Sequence, residues 1–430
     1  MTKRLLKKEA LFVLVFFHLA LPVGVMADDS KDAAVSSALK DEAMRSALQE
    51  AELKEAEKQE PLVSASSELL KRIHPYASLS FTYDDNIYLI DENVEDDMIT
   101  TLTPGIKFSL GRLGQTSEVP LPGQNLELDL GGKITEYSDH SQLNREEPYV
   151  TLLYSLGKRN NKLMFRQYYR DASTVTSELV TGGRGLVDYT ENYTGLNWEV
   201  TRNRLGLGLA YTRDSFLYKK DYKSTNSYDD QMIGITGFLQ AYPKTRLLLE
   251  YDYGTIEYTE ASTDENDSKY SIYWLGIEGE LTKKTDGLVK FGYEKRDYKG
   301  GKQDYAATSV DINLIHRYSP KTTFFFAASQ VARESTLATE TFDKGYDISL
   351  KSLYNFNSRI SLEANIISYS YDKYLSGRTD DTYDSSLLLN YMLKEWAKIG
   401  FKYSHRERRS STSGAGYNGN TYTVRADIAF

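Results

Sequence analysis

A strict alternation of apolar and charged residues, sustained over long stretches, is the feature that most constrains how this chain can fold. In NLELDLGGKI, Leu126, Leu128 and Leu130 fall on one face of an extended strand, while Glu127 and Asp129 fall on the other. The stretches SVDINLIHR and AKIGFKYSHR repeat the pattern. Strands with one apolar and one ionic face must separate two unlike environments. The alternation therefore predicts an all-β protein, either a membrane barrel or a large soluble sandwich or solenoid.

The connections between the predicted strands favour the membrane barrel. One set is short and turn-like, namely GKRNNK, TRNR, AYPKT, KKTDG, YSPKT, NFNSR and LKEWA; the other is longer and polar, with STVTSELVTGGRGLVD, LYKKDYKSTNS, TEASTDENDS and RRSSTSGAGYNGN. Outer-membrane barrels sort their connections in this way, with the short turns in the periplasm. Predicted strands of about 11 to 15 residues also exceed the 5 or 6 usual in soluble sheets. We expect a transmembrane antiparallel up-and-down β-barrel of about 18 strands, with 16 as the alternative count, over residues 73–430.

The composition agrees with a barrel. The chain contains 34 tyrosines and 16 phenylalanines, and tyrosine suits the two interfacial belts of a barrel because its ring is apolar and its hydroxyl is polar. The mean hydropathy of -0.51 is compatible with membrane insertion, since lumen-facing polar residues offset lipid-facing apolar ones. The absence of cysteine excludes a disulfide framework, a lipoprotein anchor and thiol catalysis.

Residues 1–27 have the pattern of a secretory signal peptide. The basic segment MTKRLLKK precedes the apolar segment ALFVLVFFHLALPVGV. Val25-Met26-Ala27 then offers small residues at the two positions that signal peptidase inspects, and we predict cleavage after Ala27. An uncleaved anchor helix is the alternative, but the apolar segment is short for a bilayer and contains Pro22 and Gly24.

Residues 28–72 differ from the rest of the chain and predict a periplasmic α-helical extension. They are rich in Ala, Glu, Lys and Leu, and apolar residues recur at roughly helical intervals at Val35, Leu39, Met44, Leu48 and Leu53. A solvated acidic linker is the alternative, because isolated amphipathic helices are marginally stable. We expect this segment to dock a periplasmic protein or to plug the lumen.

The last strand, YTVRADIAF, ends on a bare phenylalanine. Tyr422, Val424, Ile428 and Phe430 fall on one face of this strand. The pattern resembles the recognition signal of the outer-membrane barrel assembly machinery, so we predict that these four residues are an assembly signal. An ordinary final strand is the alternative.

The start of the barrel carries a family resemblance. The stretch ASLSFTYDDNIYLID contains Asp84, Asp85, Asn86, Ile87 and Tyr88 in a predicted first strand, and a Thr-Pro-Gly-Ile sequence follows at 103–106. This start resembles the type-2 group of the putative beta-barrel porin family. The resemblance implies an outer-membrane barrel, without catalytic residues, of the kind associated with exopolysaccharide or capsule export through periplasmic partners.

The predicted lumen-facing charges are mixed in sign. The chain carries a net charge of -9, of which about seven negative charges fall in the barrel. Candidate lumen-lining residues are Arg166, Arg170, Glu250, Asp252, Lys290, Glu294, Arg296, Lys398, Lys402 and Arg425. Without a one-signed basic ring, a neutral or weakly charged polysaccharide, or unselective diffusion, fits better than a strongly anionic polymer. Tyr168 and Tyr369 are predicted to face inward, where they could stack on sugar rings.

Catalysis, metal binding and nucleic-acid binding are not indicated. His140 stands near Ser138 and Asp139 in YSDHSQ, which we interpret as a solvated loop rather than a triad. The acidic loops DENVEDD and TDENDS lack EF-hand spacing. No phosphate-binding glycine-rich loop or basic nucleic-acid patch is present, and no cofactor is expected.

The sequence thus predicts a non-enzymatic channel in the outer membrane of a Gram-negative bacterium, with its N-terminal extension in the periplasm. The leading hypothesis is the exit component for an exopolysaccharide or capsular polysaccharide. The alternative is a general diffusion porin for small solutes, and the third is a structural or adhesion barrel. Expected partners are outer-membrane lipid and lipopolysaccharide, the barrel assembly machinery and a periplasmic polysaccharide export protein bound through residues 28–72.

Overall fold

The computed structural model describes residues 72–110, 123–158, 160–176, 185–219, 226–259, 266–300, 304–334, 342–374 and 376–430. The predicted signal peptide and nearly all of the predicted helical extension lie outside the described residues. Within the described ranges, no helix has the length and apolar character needed to cross a membrane.

Eighteen β-strands make up almost all of this part of the chain, together with a short 3-10 helix at Ser141–Leu143. The strands are β1 (Ile73–Asp84), β2 (Asp97–Leu110), β3 (Gly123–Tyr137), β4 (Arg145–Lys158), β5 (Asn161–Thr176), β6 (Gly185–Arg202), β7 (Leu205–Tyr218), β8 (Tyr228–Tyr242), β9 (Thr245–Tyr258), β10 (Ser268–Thr282), β11 (Thr285–Tyr298), β12 (Tyr305–Ser319), β13 (Thr322–Glu334), β14 (Phe342–Asn355), β15 (Ile360–Tyr374), β16 (Thr379–Lys394), β17 (Ala397–Ser410) and β18 (Tyr417–Ala429).

The strands form one closed barrel. Each strand pairs antiparallel with its neighbours in sequence, and β1 pairs with β18 from Tyr76 opposite Ala429 to Asp84 opposite Thr421. The closure removes every free sheet edge, so the backbone N–H and C=O groups of the wall are bonded within the protein, as a lipid environment requires. The predicted all-β barrel of 18 strands is confirmed.

The two faces of the wall differ as the alternation predicts. Leu249 lies opposite Leu275, and Leu275 lies opposite Phe291. These side chains are 67%, 65% and 59% exposed, respectively. Since directly opposed residues of antiparallel strands share a face, the register propagates this exposed apolar face around the barrel. It is the outer face, and the residues between these positions line the inside.

A β-bulge in β15 corrects one prediction about the faces. Leu350 lies opposite Ile367, whereas the next residue, Lys351, lies opposite Asn365. The extra residue places Ile366 and Ile367 on the same face and inverts the alternation beyond them. The expectation that Tyr369 faces the lumen is therefore wrong: it lies on the outer face, with its ring 4.9 Å from that of Tyr383.

Glycines opposite tyrosines shape the inner face. Gly254 lies opposite Tyr270, and the Tyr270 ring crosses over the glycine. The Tyr270 hydroxyl donates a 2.9 Å hydrogen bond to Asp230 on β8. A Cβ at Gly254 would come within 2.2 Å of the Tyr270 ring. Gly105 holds Tyr76 in the same way, and this ring reaches Asp129 at 2.7 Å. The small residue thus allows a tyrosine to bond across an intervening strand.

We expect Gly254→Ala to destabilise the barrel by about 1–3 kcal/mol, because the added methyl group displaces the Tyr270 ring and breaks its bond to Asp230. Gly237→Ala is the matched control, since a Cβ there would meet only the Leu249 carbonyl oxygen at 3.9 Å. Urea unfolding of the refolded protein in detergent measures both. Equal midpoints for the two variants would contradict the role assigned to Gly254.

The terminal phenylalanine lies at the barrel seam. Its backbone N–H donates to the Pro75 carbonyl oxygen at 3.1 Å, and its ring stacks on Trp396 with 5.6 Å between ring centroids. The side chains of Tyr422 and Val424 point to the same outer face, where both are exposed. The assembly signal remains a prediction, and this geometry leaves its aromatic end accessible to another protein.

Deleting Phe430 should lower the fraction of heat-modifiable, folded barrel in the outer membrane while refolding into detergent micelles stays efficient. The two results should differ because the assembly machinery that recognises the signal is present in cells and absent from the micelle experiment. Phe356→Ala, which removes an exposed aromatic ring from the short turn between β14 and β15, serves as the control. An equal loss in cells and in micelles would assign Phe430 a purely structural role.

Candidate functional site on the inner wall

The ten charged residues named from the sequence all lie on the inner face of the barrel. The register places them opposite inward-facing partners and between outward-facing apolar neighbours. They belong to four regions of the wall: Arg166 and Arg170 on β5, Glu250 and Asp252 on β9, Lys290, Glu294 and Arg296 on β11, and Lys398, Lys402 and Arg425 on β17 and β18.

On β9–β11 the structure brings several of these charges together. The Lys290 ammonium lies 3.0 Å from Glu250 and 3.5 Å from Asp311. It also lies 4.7 Å from the Trp274 ring centre, and the indole N–H of Trp274 donates to Asp252 at 3.0 Å. Lysine, carboxylates and tryptophan therefore form one connected layer of the wall.

A second buried pair lies one layer further along β11. Arg296 donates to Glu294 at 3.0 Å, and its guanidinium packs 5.0 Å from the centre of the Tyr270 ring. Glu294 also accepts the backbone N–H of Ala332 at 3.1 Å. A buried ion pair of this kind requires such additional hydrogen bonds to offset the loss of water around its charges.

A four-residue ion-pair network on this wall was not named from the sequence. Arg246 donates to both carboxylate oxygens of Glu199, at 2.8 and 2.7 Å, and also contacts Glu278. Lys162 lies 3.2 Å from Glu199. These four residues come from β5, β6, β9 and β10, so only the barrel register joins them. The two-residue period of the sequence predicts that these four side chains face inward. It does not predict that they contact one another.

The inner wall also holds a buried aromatic cluster. Phe216, Tyr228, Tyr258, Tyr270 and Trp274 pack together from β7 to β10, with 5.4 Å between the rings of Phe216 and Tyr228. These rings are buried against one another and against the ion pairs. The inward-facing Tyr168 lies 5.6 Å from the Arg170 guanidinium.

The family-like residues at the end of β1 anchor a loop at the opposite end of the barrel from the short turns. The prediction of one long strand through Tyr88 is wrong, because β1 ends at Asp84. The carboxylate of Asp84 accepts the backbone N–H of Asn86 at 2.9 Å and turns the chain. Leu89 then adopts a positive φ of 52°. Asp85 accepts two hydrogen bonds from Asn420 of β18, at 2.6 and 2.8 Å.

Asn86 is fully buried and holds this loop, residues 85–96, to the seam. Its amide nitrogen donates to the carbonyl oxygens of Ile90 at 2.7 Å and Asn418 at 2.6 Å, and its amide oxygen accepts the Ile90 backbone N–H at 3.0 Å. Ile87, Tyr88 and Ile90 pack against Tyr137 and Leu143, which belong to β3 and the following connection. The loop is thus folded against the inner side of the barrel mouth.

His140 joins the two connections at this mouth. Its Nδ1 lies 2.8 Å from Asp97, and its Nε2 lies 2.7 Å from Glu95 in loop 85–96. The nearby Ser138 hydroxyl donates to the Met98 carbonyl oxygen at 2.9 Å, so it does not point at the imidazole. The interpretation of this stretch as a simple solvated loop is incomplete, since His140 bridges two carboxylates. Among the described residues, no group of three His, Cys, Asp or Glu is arranged to hold a metal ion.

Comparison with known proteins gives one family match. A family model described as putative beta-barrel porin 2 matches residues 72–430. No curated protein matches the chain. Similar solved structures include Pseudomonas aeruginosa OpdK with vanillate, at 10% identity and a TM-score of 0.47, covering 84% of this chain and 99% of that one. Pseudomonas aeruginosa OccK2 (OpdF) in complex with glucuronate is 11% identical, with a TM-score of 0.44 and coverages of 84% and 98%. The siderophore receptor PirA from Acinetobacter baumannii is 7% identical, with a TM-score of 0.41 and coverages of 83% and 80%.

Raising the pH should loosen loop 85–96. The Asp97 carboxylate, and after it that of Glu95, raises the pKa of His140 above its ordinary value, against the opposing effect of burial. A pKa raised by folding means that the stabilisation is complete below the ordinary histidine pKa of about 6.5 and is lost as the pH rises through the raised value. Hydrogen exchange of residues 85–96, corrected for the intrinsic rate, should show this loss.

The matched variants are His140→Gln, which should abolish the pH dependence, and His316→Gln, which removes a histidine on β12 that contacts Thr285 rather than the loop and should preserve it. Wild-type protection with the same pH profile as the His140→Gln variant would rule out the bridge.

Proposed function

The chain belongs to the putative beta-barrel porin 2 family, and from this membership we propose that it is a passive channel for small polar solutes. It is a porin-type barrel of the Gram-negative outer membrane. The observation that supports passive diffusion is the inner wall, on which charges of both signs neutralise one another in fixed pairs. Barrels of 16 to 18 strands enclose an aqueous interior, so such a wall offers a polar path without a one-signed barrier.

The polysaccharide-exit hypothesis has less support from the described residues. An aromatic ring can contact a passing sugar only where it is exposed to the lumen, yet Tyr228, Tyr258, Tyr270 and Trp274 are buried within the wall. Tyr369, one of the two tyrosines proposed for sugar stacking, lies on the outer face. The periplasmic extension that would engage an export partner lies outside the described residues. We therefore prefer diffusion of small solutes to polymer export, and no observation favours a structural or adhesion role.

We place the N-terminal extension in the periplasm, on the same side as the short turns. Its docking to a periplasmic export protein, and the interactions with lipopolysaccharide and the assembly machinery, remain predictions. We assign no enzymatic role, because the family and the fold are those of channels.

The refolded full-length protein, without its signal peptide, should form ohmic steps in a planar bilayer. Proteoliposomes should swell in neutral sugars at rates that fall with solute size, because a fixed polar path sieves by cross-section. A variant lacking residues 28–70 serves as the comparison. Folded protein that conducts only after this deletion, or only with a periplasmic partner, would contradict passive diffusion and favour a gated exporter.

A further inference from the structure

The charges of the inner wall are sorted by position, although their list along the sequence is mixed. On β6–β10, the inward-facing charged residues are eight acids and one base: Glu191, Glu199, Asp214, Asp230, Glu250, Asp252, Glu278 and Glu280, with Arg246. On β16–β18, they are five bases and three acids: Lys398, Lys402, Arg406, Arg408 and Arg425, with Asp380, Asp384 and Asp427. Since β8 and β17 are nine strands apart in a closed ring of 18, the two groups face each other across the lumen.

Solutes do not meet the two sides equally, because many of the acids are covered. Glu191 is 2% exposed and accepts a 2.6 Å hydrogen bond from Arg170. Asp252 is 6% exposed beneath Trp274. Both terminal nitrogens of the Arg246 guanidinium donate hydrogen bonds to the Glu199 carboxylate. The acidic side of the wall is thus largely neutralised by neighbouring donors.

Three of the four inward-facing bases on β17 are more accessible, whereas the fourth, Arg408, is 6% exposed. Lys402 is exposed, Lys398 is half-buried, and the Arg406 side chain is 49% exposed although it lies 2.6 Å from Asp384. Because every second residue of a strand faces inward, the positions 398, 402 and 406 stand about 13 Å apart along the inner face.

Arg425 fills the interval between Lys398 and Lys402. It lies opposite Gly400, where a Cβ would come within 3.2 Å of its Cγ and Nε atoms, so the missing side chain leaves room for the guanidinium. Arg425 also donates to Asn390 at 3.4 Å and lies 3.1 Å from Asp427. Lys398, Arg425, Lys402 and Arg406 follow one another along this part of the inner face, with Asp427 directly opposite Lys398, and we call these four residues the cation file.

We propose that the cation file binds small organic anions, such as carboxylates, during their passage and makes the channel anion-selective despite the net negative charge of the chain. This inference rests on the proposed diffusion function and specifies its substrate class. Cations along one wall of a polar lumen raise the local concentration of anions, and lysine and arginine donors spaced along the path let a carboxylate pass from one to the next.

The test is the zero-current potential of the refolded full-length protein in a bilayer separating unequal concentrations of potassium chloride, and then of potassium acetate. The wild type should show an anion-to-cation permeability ratio above one. The double variant Lys398→Gln and Lys402→Gln should lower the ratio by about three-fold or more. Its control, Lys269→Gln with Lys295→Gln, removes the same charge from the outer face of β10 and β11 and should leave the ratio unchanged.

Arg425→Gln is a second, independent variant and should lower the ratio in the same direction. Heat-modifiability confirms that each variant is folded. The inference would be overturned by a cation-selective wild type, or by file variants whose permeability ratio equals that of the outer-face control. Conductance in those experiments would still support the diffusion function. Folded protein with no conductance would instead overturn the diffusion function.

Discussion

Pairing of the first strand with the last is the constraint on which the rest of the structure depends. In the hydrocarbon layer, no water is present to satisfy a free sheet edge, so a sheet of this size must close on itself. β1 and β18 accomplish this over nine residue pairs. Asp85 and Asn86 then tie the connection after β1 to the strand that completes the ring, and Phe430 bonds back to Pro75. Closure and the organisation of both barrel mouths are therefore coupled.

Once the ring is closed, the pleat assigns each side chain to lipid or to the interior, and the interior must then accommodate many charges. It does so by pairing them across strands, often across an intervening strand. Glycines permit these long reaches, as Gly254 does for Tyr270 and Gly400 does for Arg425. Each pair is worth little net stability, because desolvation offsets attraction, but together the pairs determine which charges a passing solute can reach.

That distinction connects the two functional proposals. A wall in which acids are bonded to arginine, lysine and tryptophan offers no strong barrier, which suits diffusion of small polar solutes. The same pairing leaves Lys398, Lys402 and Arg406 of β17 as the more accessible charges, which favours small anions among those solutes. Net charge alone would have indicated the opposite preference, since the chain is acidic.

The sequence by itself determined the fold class, a strand count of about 18 and the face of most strand residues, because a two-residue period and turn chemistry are local properties. It was wrong where a local rule was interrupted: the bulge at Ile366 inverts Tyr369, and the turn at Asn86 ends the first strand early. The alternation along the chain predicts which charged residues face the lumen. Only the tertiary structure decided which of them meet, which are covered and which line up, because strand pairing brings Glu199 to Arg246 and Gly400 to Arg425 from distant positions in sequence.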